Sequence, residues 1–384
     1  MSLTSTGFEV VAIVAASVML IATILLWNRV RGPRPVRVAS RLLLVVLGEG
    51  LATLALLVAI NIGYGGLIVS WSDLLGNQST HGGSFTGTQG EWREHASMLT
   101  TVQADRVLSG HQHFTPAGYG GFEKTILAGA RSGLTSDVWV WTPPQYREHP
   151  DEQFPVLELL HGIWGGPTGW TGPMRVVDHL EAAMRTGAVH PFILVVPNIA
   201  PVAAHGSPWN NEECSDVPGD AKVDTWLTTD VRQMVLANFR AIEPAVGWGL
   251  MGYSTGGFCA AKLVLQHPNS YRAAVSLSGY YVPESRMLTG DRKLAMANSP
   301  LWIISHDQTP EVSILMTASA QDRLDPPSEG QQVINAARAN PRAHATEVQA
   351  FVAPLGGGHN QSAWEKMLPT SFTWLSQRLS KPVV

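Results

Sequence analysis

The chain has 384 residues, of which 45% are hydrophobic and 15% charged, and a net charge of −4 at pH 7. That composition excludes a disordered chain, and the mild acidity gives no electrostatic reason to expect a nucleic-acid partner. Two cysteines exclude a disulfide-rich scaffold and a four-thiolate zinc site, and nothing in the sequence asks for a metal or a cofactor.

A mean hydropathy of +0.05 is high for a soluble enzyme, and the excess is concentrated at the N-terminus. Residues Val10 to Trp27 run without a charge, enough helix to cover roughly 27 Å of hydrocarbon. A second apolar run begins at Leu42 and is interrupted by Glu49 and Asn61. Spans are expected at about 8–27 and 42–63, forming a transmembrane hairpin within residues 1–71. The loop between them, 28–41, holds Arg29, Arg31, Arg34, Arg37 and Arg41 and no acid. Short Arg-dense loops stay cytoplasmic, so the N-terminus and everything beyond about residue 65 should lie outside the plasma membrane. The bilayer is then an expected partner. A cleaved signal peptide fits less well, because no basic region precedes Val10 and no small-residue cleavage site closes the run.

Residues 72–122 are rich in Gly, Ser and Thr and read as a juxtamembrane connector, with His111-Gln112-His113 in a surface loop rather than a metal site. From Glu123 to the end the pattern is that of an α/β domain. Two extended runs about a Ser-Gly turn form an edge hairpin. Strands are expected at Pro155–Leu160, Phe192–Val196, Gly247–Gly252, Ala273–Leu277, Ser313–Thr317 and Thr346–Val352. Helices are expected at Met174–Arg185, Thr228–Ile242, Gly256–Gln266, Ser328–Arg338 and Ser362–Arg378. Strand and helix in alternation imply a mostly parallel sheet.

Gly252-Tyr253-Ser254-Thr255-Gly256 fits G-x-S-x-G between a strand-like run and a good helix. A strand that runs straight into a helix holds the Ser in a strained turn and aims the helix N-terminus at developing negative charge. Ser254 is thus the candidate nucleophile. Its base should follow it in the chain, and four histidines do. His267 closes the helix after the Ser, His344 lies in a polar stretch, His306 follows the strand-like LWIIS, and His359 stands in the Gly-rich loop PLGGGHNQ before the last helix. His359 is the candidate base and His306 its competitor. The acid that orients it should follow strand 313–317, where Asp322 and Asp325 are both available and Asp322 is nearer the strand end. The oxyanion hole needs two backbone N–H donors, expected from Thr255 and from Ile163 in the loop His161-Gly162-Ile163-Trp164. His161 reads as a packing residue behind that loop. Trp164, Trp170, Trp209 and Trp364 either wall an acyl pocket or belong to the core. Cys214 and Cys259 are either two buried thiols or a bridge that pins the 205–220 loop beside the pocket.

With HG-x-W-G-G, GYSTGG, the Asp322 loop and GGGHNQSAW in this order, residues 123–384 resemble the Putative esterase family of α/β-hydrolases, which includes esterase D-like enzymes and the antigen 85 mycolyltransferases. The resemblance implies an α/β-hydrolase fold, Ser254 as acyl-accepting nucleophile, His359 as base, and Ile163 and Thr255 as oxyanion donors. Two departures stand out. The mycolyltransferases are secreted, and their triad acid is Glu rather than Asp. The expected activity is that of a membrane-anchored serine esterase acting on an ester or acyl-donor substrate, including envelope lipids or glycolipids. Transfer of the acyl group to an envelope hydroxyl, and a non-catalytic binding protein on the same fold, are the alternatives.

Overall fold

In the computed structural model, which describes residues 6–63, 111–117, 120–163, 165–200, 211–353 and 357–384, the chain divides into two units. One carries the first two helices and the other carries a sheet.

In the first unit, α1 (Thr6–Leu26) and α2 (Arg34–Gly63) form an antiparallel hairpin. Thr23 Oγ1 contacts the Leu44 carbonyl, and Arg41 donates to the Trp27 carbonyl with its guanidinium over the Trp27 ring. The more enclosed positions recur every three or four residues, Ala12, Ala15, Met19 and Ala22 on one helix and Leu44, Gly48, Leu51 and Val58 on the other. That spacing is the seam of a left-handed helix pair. The outer faces expose Val11, Val14, Val18, Leu43, Val46 and Leu57, and Glu49 shares the outer face of α2. Arg34–Ala59 is long and apolar enough to cross a bilayer or to serve as a signal sequence, and the apolar part of α1, Val10–Leu26, is shorter. The second helix begins at Arg34, ahead of the span expected from 42, so Arg34, Arg37 and Arg41 are helical; Pro35 falls in the first turn, where a missing N–H removes no helical bond.

The second unit is built on nine strands: β1 (Thr115–Pro116), β2 (Glu123–Ala128), β3 (Thr135–Trp141), β4 (Val156–Leu160), β5 (Ile193–Pro197), β6 (Trp248–Tyr253), β7 (Ala273–Leu277), β8 (Ser313–Ser319) and β9 (Glu347–Ala353). They lie in the order β1-β2-β3-β5-β4-β6-β7-β8-β9. The pairs from β5 to β9 are parallel, and β1, β2 and β3 add antiparallel strands at one edge. The sheet therefore reaches back to Thr115, ahead of the boundary expected at 123.

Strands buried on both faces read as continuous apolar runs, as VLELL, ILVVP and AAVSL do. The main helices are α3 (Val176–Arg185), a continuous α4 over 223–238, α5 (Thr255–Gln266), α6 (Pro327–Ala339) and α7 (Gln361–Ser376). Leu157, Leu159 and Met251 pack with Leu180 of α3 and Met367 and Phe372 of α7 on one face. Val156, Leu160 and Leu250 pack with Trp226 of α4, Leu263 of α5 and Val333 of α6 on the other. Helix α4 stops at Asn238, short of the expected 242, because Phe239 returns to extended backbone. LWIIS is not a strand. It lies in a short helix, Pro300–His306, which Ser299 caps by accepting from the Trp302 N–H, with proline in the first turn.

One buried group is out of character. Glu158, in the middle of β4, is fully buried and accepts a hydrogen bond from the Tyr271 hydroxyl at 2.8 Å. Burial raises its pKa to about 8, against the opposing pull of Tyr271 and Arg232, so at neutral pH it is a carboxylic acid.

Candidate active site

The topology points to one place. The chain leaves β4 for β5 on one side and returns to β6 on the other, and a doubly wound sheet opens a crevice beyond the strand ends where its order reverses. The residues beyond those two ends are His161-Gly162-Ile163 and Ser254.

Ser254 lies between the last residue of β6 and the first of α5, with φ 55° and ψ −125°, a conformation that an L-residue with a side chain avoids. Its carbonyl accepts from Gly257 and Phe258, and its N–H donates to the Leu277 carbonyl of β7. Close packing forces the flanking glycines. A Cβ on Gly252 would sit 1.9 Å from the Gly256 carbonyl oxygen, and a Cβ on Gly256 would sit 2.1 Å from that of Leu160. So α5 can start against the end of β4 only with glycine at both positions.

The loop after β4 lies directly beside this turn, since a Cβ on Gly162 would come within 3.1 Å of the Ser254 Cβ. His161 is buried and holds the loop. The Ile199 N–H donates to His161 Nε2 at 3.1 Å, which leaves the proton on Nδ1, and Nδ1 donates to the Gly162 carbonyl at 2.8 Å. Burial lowers the His161 pKa and keeps the ring neutral. Gly165 N–H donates to the same carbonyl at 3.1 Å. In a trans peptide the C=O and the following N–H point in opposite directions, so anchoring the Gly162 carbonyl fixes the direction of the Ile163 N–H. His161 is more than the packing residue its sequence context indicates.

Among the described residues, neither the Ile163 nor the Thr255 N–H donates to a backbone carbonyl. Trp170 and Trp364 are core residues: both are buried and both pack on Tyr253, with centroids at 5.1 and 4.6 Å. Trp164 and Trp209 lie outside the described residues.

Asp322 lies just past β8, buried, with Oδ1 accepting from the Leu324 and Asp325 N–H groups at 3.1 and 3.0 Å. Asp325 is buried as well. Burial, with Glu329, Asp322 and Glu284 nearby, raises its pKa to about 9. His359 lies between β9 and α7 and is buried. The other three histidines are engaged elsewhere. His267 pairs with Asp224 at 2.7 Å; His306 stacks on Trp302 at 3.7 Å at the end of its helix; His344 is exposed and contacts the Pro341 carbonyl.

Cys214 and Cys259 are joined by a disulfide that ties the 211–216 loop to α5. Lys262, one turn further along α5 and fully buried, donates from Nζ to the Glu213 and Cys214 carbonyls at 3.1 and 2.5 Å and to Ser215 Oγ at 2.6 Å. Sequence reasoning passed over Lys262. Its signal was a lone cation in the apolar run GFCAAKLVLQ.

The profile of one family, described as Putative esterase, matches residues 133–375. An uncharacterised protein of Corynebacterium glutamicum is 24% identical over 273 residues, which cover 67% of this chain and 62% of that protein. An esterase of Mycobacterium tuberculosis is 29% identical over 147 residues, covering 38% of this chain and 30% of its own length. The chain thus spans less than two thirds of these relatives. Among solved structures, a ferulic acid esterase superposes with a TM-score of 0.55 at 20% identity, covering 67% of this chain and 98% of its own. An S-formylglutathione hydrolase from Agrobacterium tumefaciens gives 0.54 at 13% identity, with 70% and 98% covered. These likenesses show a shared α/β-hydrolase fold.

Proposed function

The chain belongs to the Putative esterase family, and from that membership we propose that it is a serine hydrolase that cleaves carboxylic esters through an acyl-enzyme on Ser254. The observation that carries the proposal is the strained strand-to-helix turn at Ser254 with the Gly162–Ile163 peptide packed against it.

In this reading His359 takes the Ser254 proton as Oγ attacks the ester carbonyl. The carbonyl oxygen becomes an oxyanion held by the Ile163 and Thr255 N–H groups. Collapse expels the alcohol, which receives the proton from His359, and an acyl-Ser254 ester remains. Water, deprotonated by the same histidine, then attacks the acyl carbon, releases the acid and restores Ser254. Asp322 orients the imidazole and stabilises its cation, which requires an ionised carboxylate. Asp325 is a poor candidate for that role, because a pKa of about 9 keeps it protonated at neutral pH.

The helical hairpin is the membrane anchor in this proposal, with residues 1–71 spanning twice, a connector beginning at 72, and a catalytic domain that takes in β1 at Thr115–Pro116 ahead of the 123–384 expected for it. The arginines from Arg29 to Arg41 hold the turn in the cytoplasm and leave the catalytic domain outside the plasma membrane. Exposed apolar side chains on both outer faces of the hairpin support this. An envelope lipid or glycolipid ester is then an accessible substrate.

The test uses the full chain in detergent with a fluorophosphonate and intact-mass readout. One adduct is expected on the wild type and none on Ser254→Ala or His359→Ala. A folded wild type that takes no adduct refutes the proposal. Membrane sedimentation that resists alkaline carbonate checks the anchor separately.

A further inference from the structure

Glu213 and Cys214 both adopt positive φ, 44° and 54°, although neither is glycine. Two consecutive residues in that region persist only where the surroundings hold them there. The disulfide to Cys259 and the Lys262 ammonium hold this pair to α5, the helix that starts immediately after Ser254. The result is to place one carboxyl group, whose pKa burial raises. Glu213, 2% exposed, accepts three hydrogen bonds on Oε1: from the Glu284 and Ser285 N–H groups, each at 3.0 Å, and from the Tyr280 hydroxyl at 2.7 Å.

Tyr280 continues the chain toward the nucleophile. Its own proton is committed to Glu213, and its oxygen lies 3.4 Å from Thr255 Oγ1, so the Thr255 hydroxyl is the donor in that contact. The Tyr280 ring is stacked on Phe258 of α5 at 4.8 Å, which fixes the phenol at both ends. Thr255 is buried and is the first residue of α5.

We propose that Glu213 is a positioning residue for the oxyanion hole: through Tyr280 it holds the Thr255 side chain and so, together with the Gly257 and Phe258 N–H groups on the Ser254 carbonyl, fixes the Ser254–Thr255 peptide and the direction of its N–H. This rests on the reading of Ser254 as nucleophile and Thr255 N–H as oxyanion donor. Glu213 touches neither substrate nor reacting atoms. It acts by keeping an N-terminal N–H of α5 aimed where charge develops, and the disulfide and Lys262 keep Glu213 in place.

The deciding variant is Tyr280→Phe, which keeps the ring and its stacking on Phe258 and removes only the hydroxyl. With the full chain in detergent, kcat on p-nitrophenyl butyrate and the rate of fluorophosphonate labelling should both fall roughly tenfold, a part of the hundredfold or more lost with an oxyanion donor. KM should stay within about twofold, because the effect belongs to the transition state. Glu213→Ala should match Tyr280→Phe, the double variant should lose no more than either, and Glu213→Gln, which keeps an acceptor oxygen, should restore most of the rate. Tyr280→Phe that labels and turns over like wild type overturns the inference, as does a loss of kcat that only parallels a loss of thermal stability. A wild type that does not label refutes the nucleophile itself, and that result is distinct from either.

Discussion

Replacing Glu158 with glutamine should change the pH dependence of stability more than stability itself. In the folded protein this carboxyl keeps its proton to about pH 8, while in the unfolded chain it loses it near 4.5. Between those values the unfolded state binds fewer protons, so rising pH favours unfolding; the stabilisation is complete below 4.5 and is lost as pH passes through 8. A shift of that size corresponds to roughly 5 kcal/mol as an upper figure, or about 10 °C or more in melting temperature for a domain of this size. Asp325, with a pKa of about 9, contributes in the same direction, so the wild-type slope exceeds the part due to Glu158. Lys262, lowered to about 8 by burial, contributes in the opposite direction, but only as pH passes that value. Glutamine imitates the protonated acid and keeps an acceptor for the Tyr271 hydroxyl. Glu158→Gln should therefore melt within about 2 kcal/mol of wild type at pH 5 and clearly above it at pH 8. Thermal melts of both proteins at half-unit steps from pH 5 to 8 isolate the difference. Parallel slopes would refute the reasoning, since they would mean that Glu158 is already ionised in the folded protein.

Three further outcomes are expected. Gly256→Ala should destabilise the protein by roughly 3 kcal/mol or displace α5 and abolish labelling of Ser254, because the new methyl would meet the Leu160 carbonyl at 2.1 Å; urea melts and fluorophosphonate labelling read the two effects. Reducing the Cys214–Cys259 bridge, which closes a loop of 45 residues, should lower stability by roughly 4 kcal/mol in the chain-entropy account; urea midpoints with and without a phosphine reductant measure it, and equal midpoints would argue against the bridge. Ser40→Cys, in the Arg-rich part of the hairpin, should resist an impermeant maleimide on intact cells and react after permeabilisation; labelling of intact cells would invert the proposed topology.

The parts of this molecule that were legible in the sequence are those whose signal is local. Strands such as VLELL and AAVSL are buried on both faces, so they show as short apolar runs, and the turn at Ser254 shows because glycine stands on both sides of it within five residues, although the contact that forces Gly256 is with Leu160 of a distant strand. LWIIS misled because a five-residue apolar run fits a buried helix as well as a strand, and the decisive features, Ser299 as cap and Pro300 in the first turn, lie just outside it. What could not be read from the sequence is long-range. Glu213 reaches Tyr280, 67 positions later, and Lys262 reaches back to the 213–215 loop. Nothing near Glu213 in the sequence distinguishes it from a solvated loop acid, which is what its composition suggests. Its role depends on two left-handed residues, a disulfide and a buried ammonium acting at one point. Asp325 shows the same limit: it shares one loop with Asp322 ahead of a helix, and only the fold, which buries it beside Glu329, Asp322 and Glu284, raises its pKa to about 9.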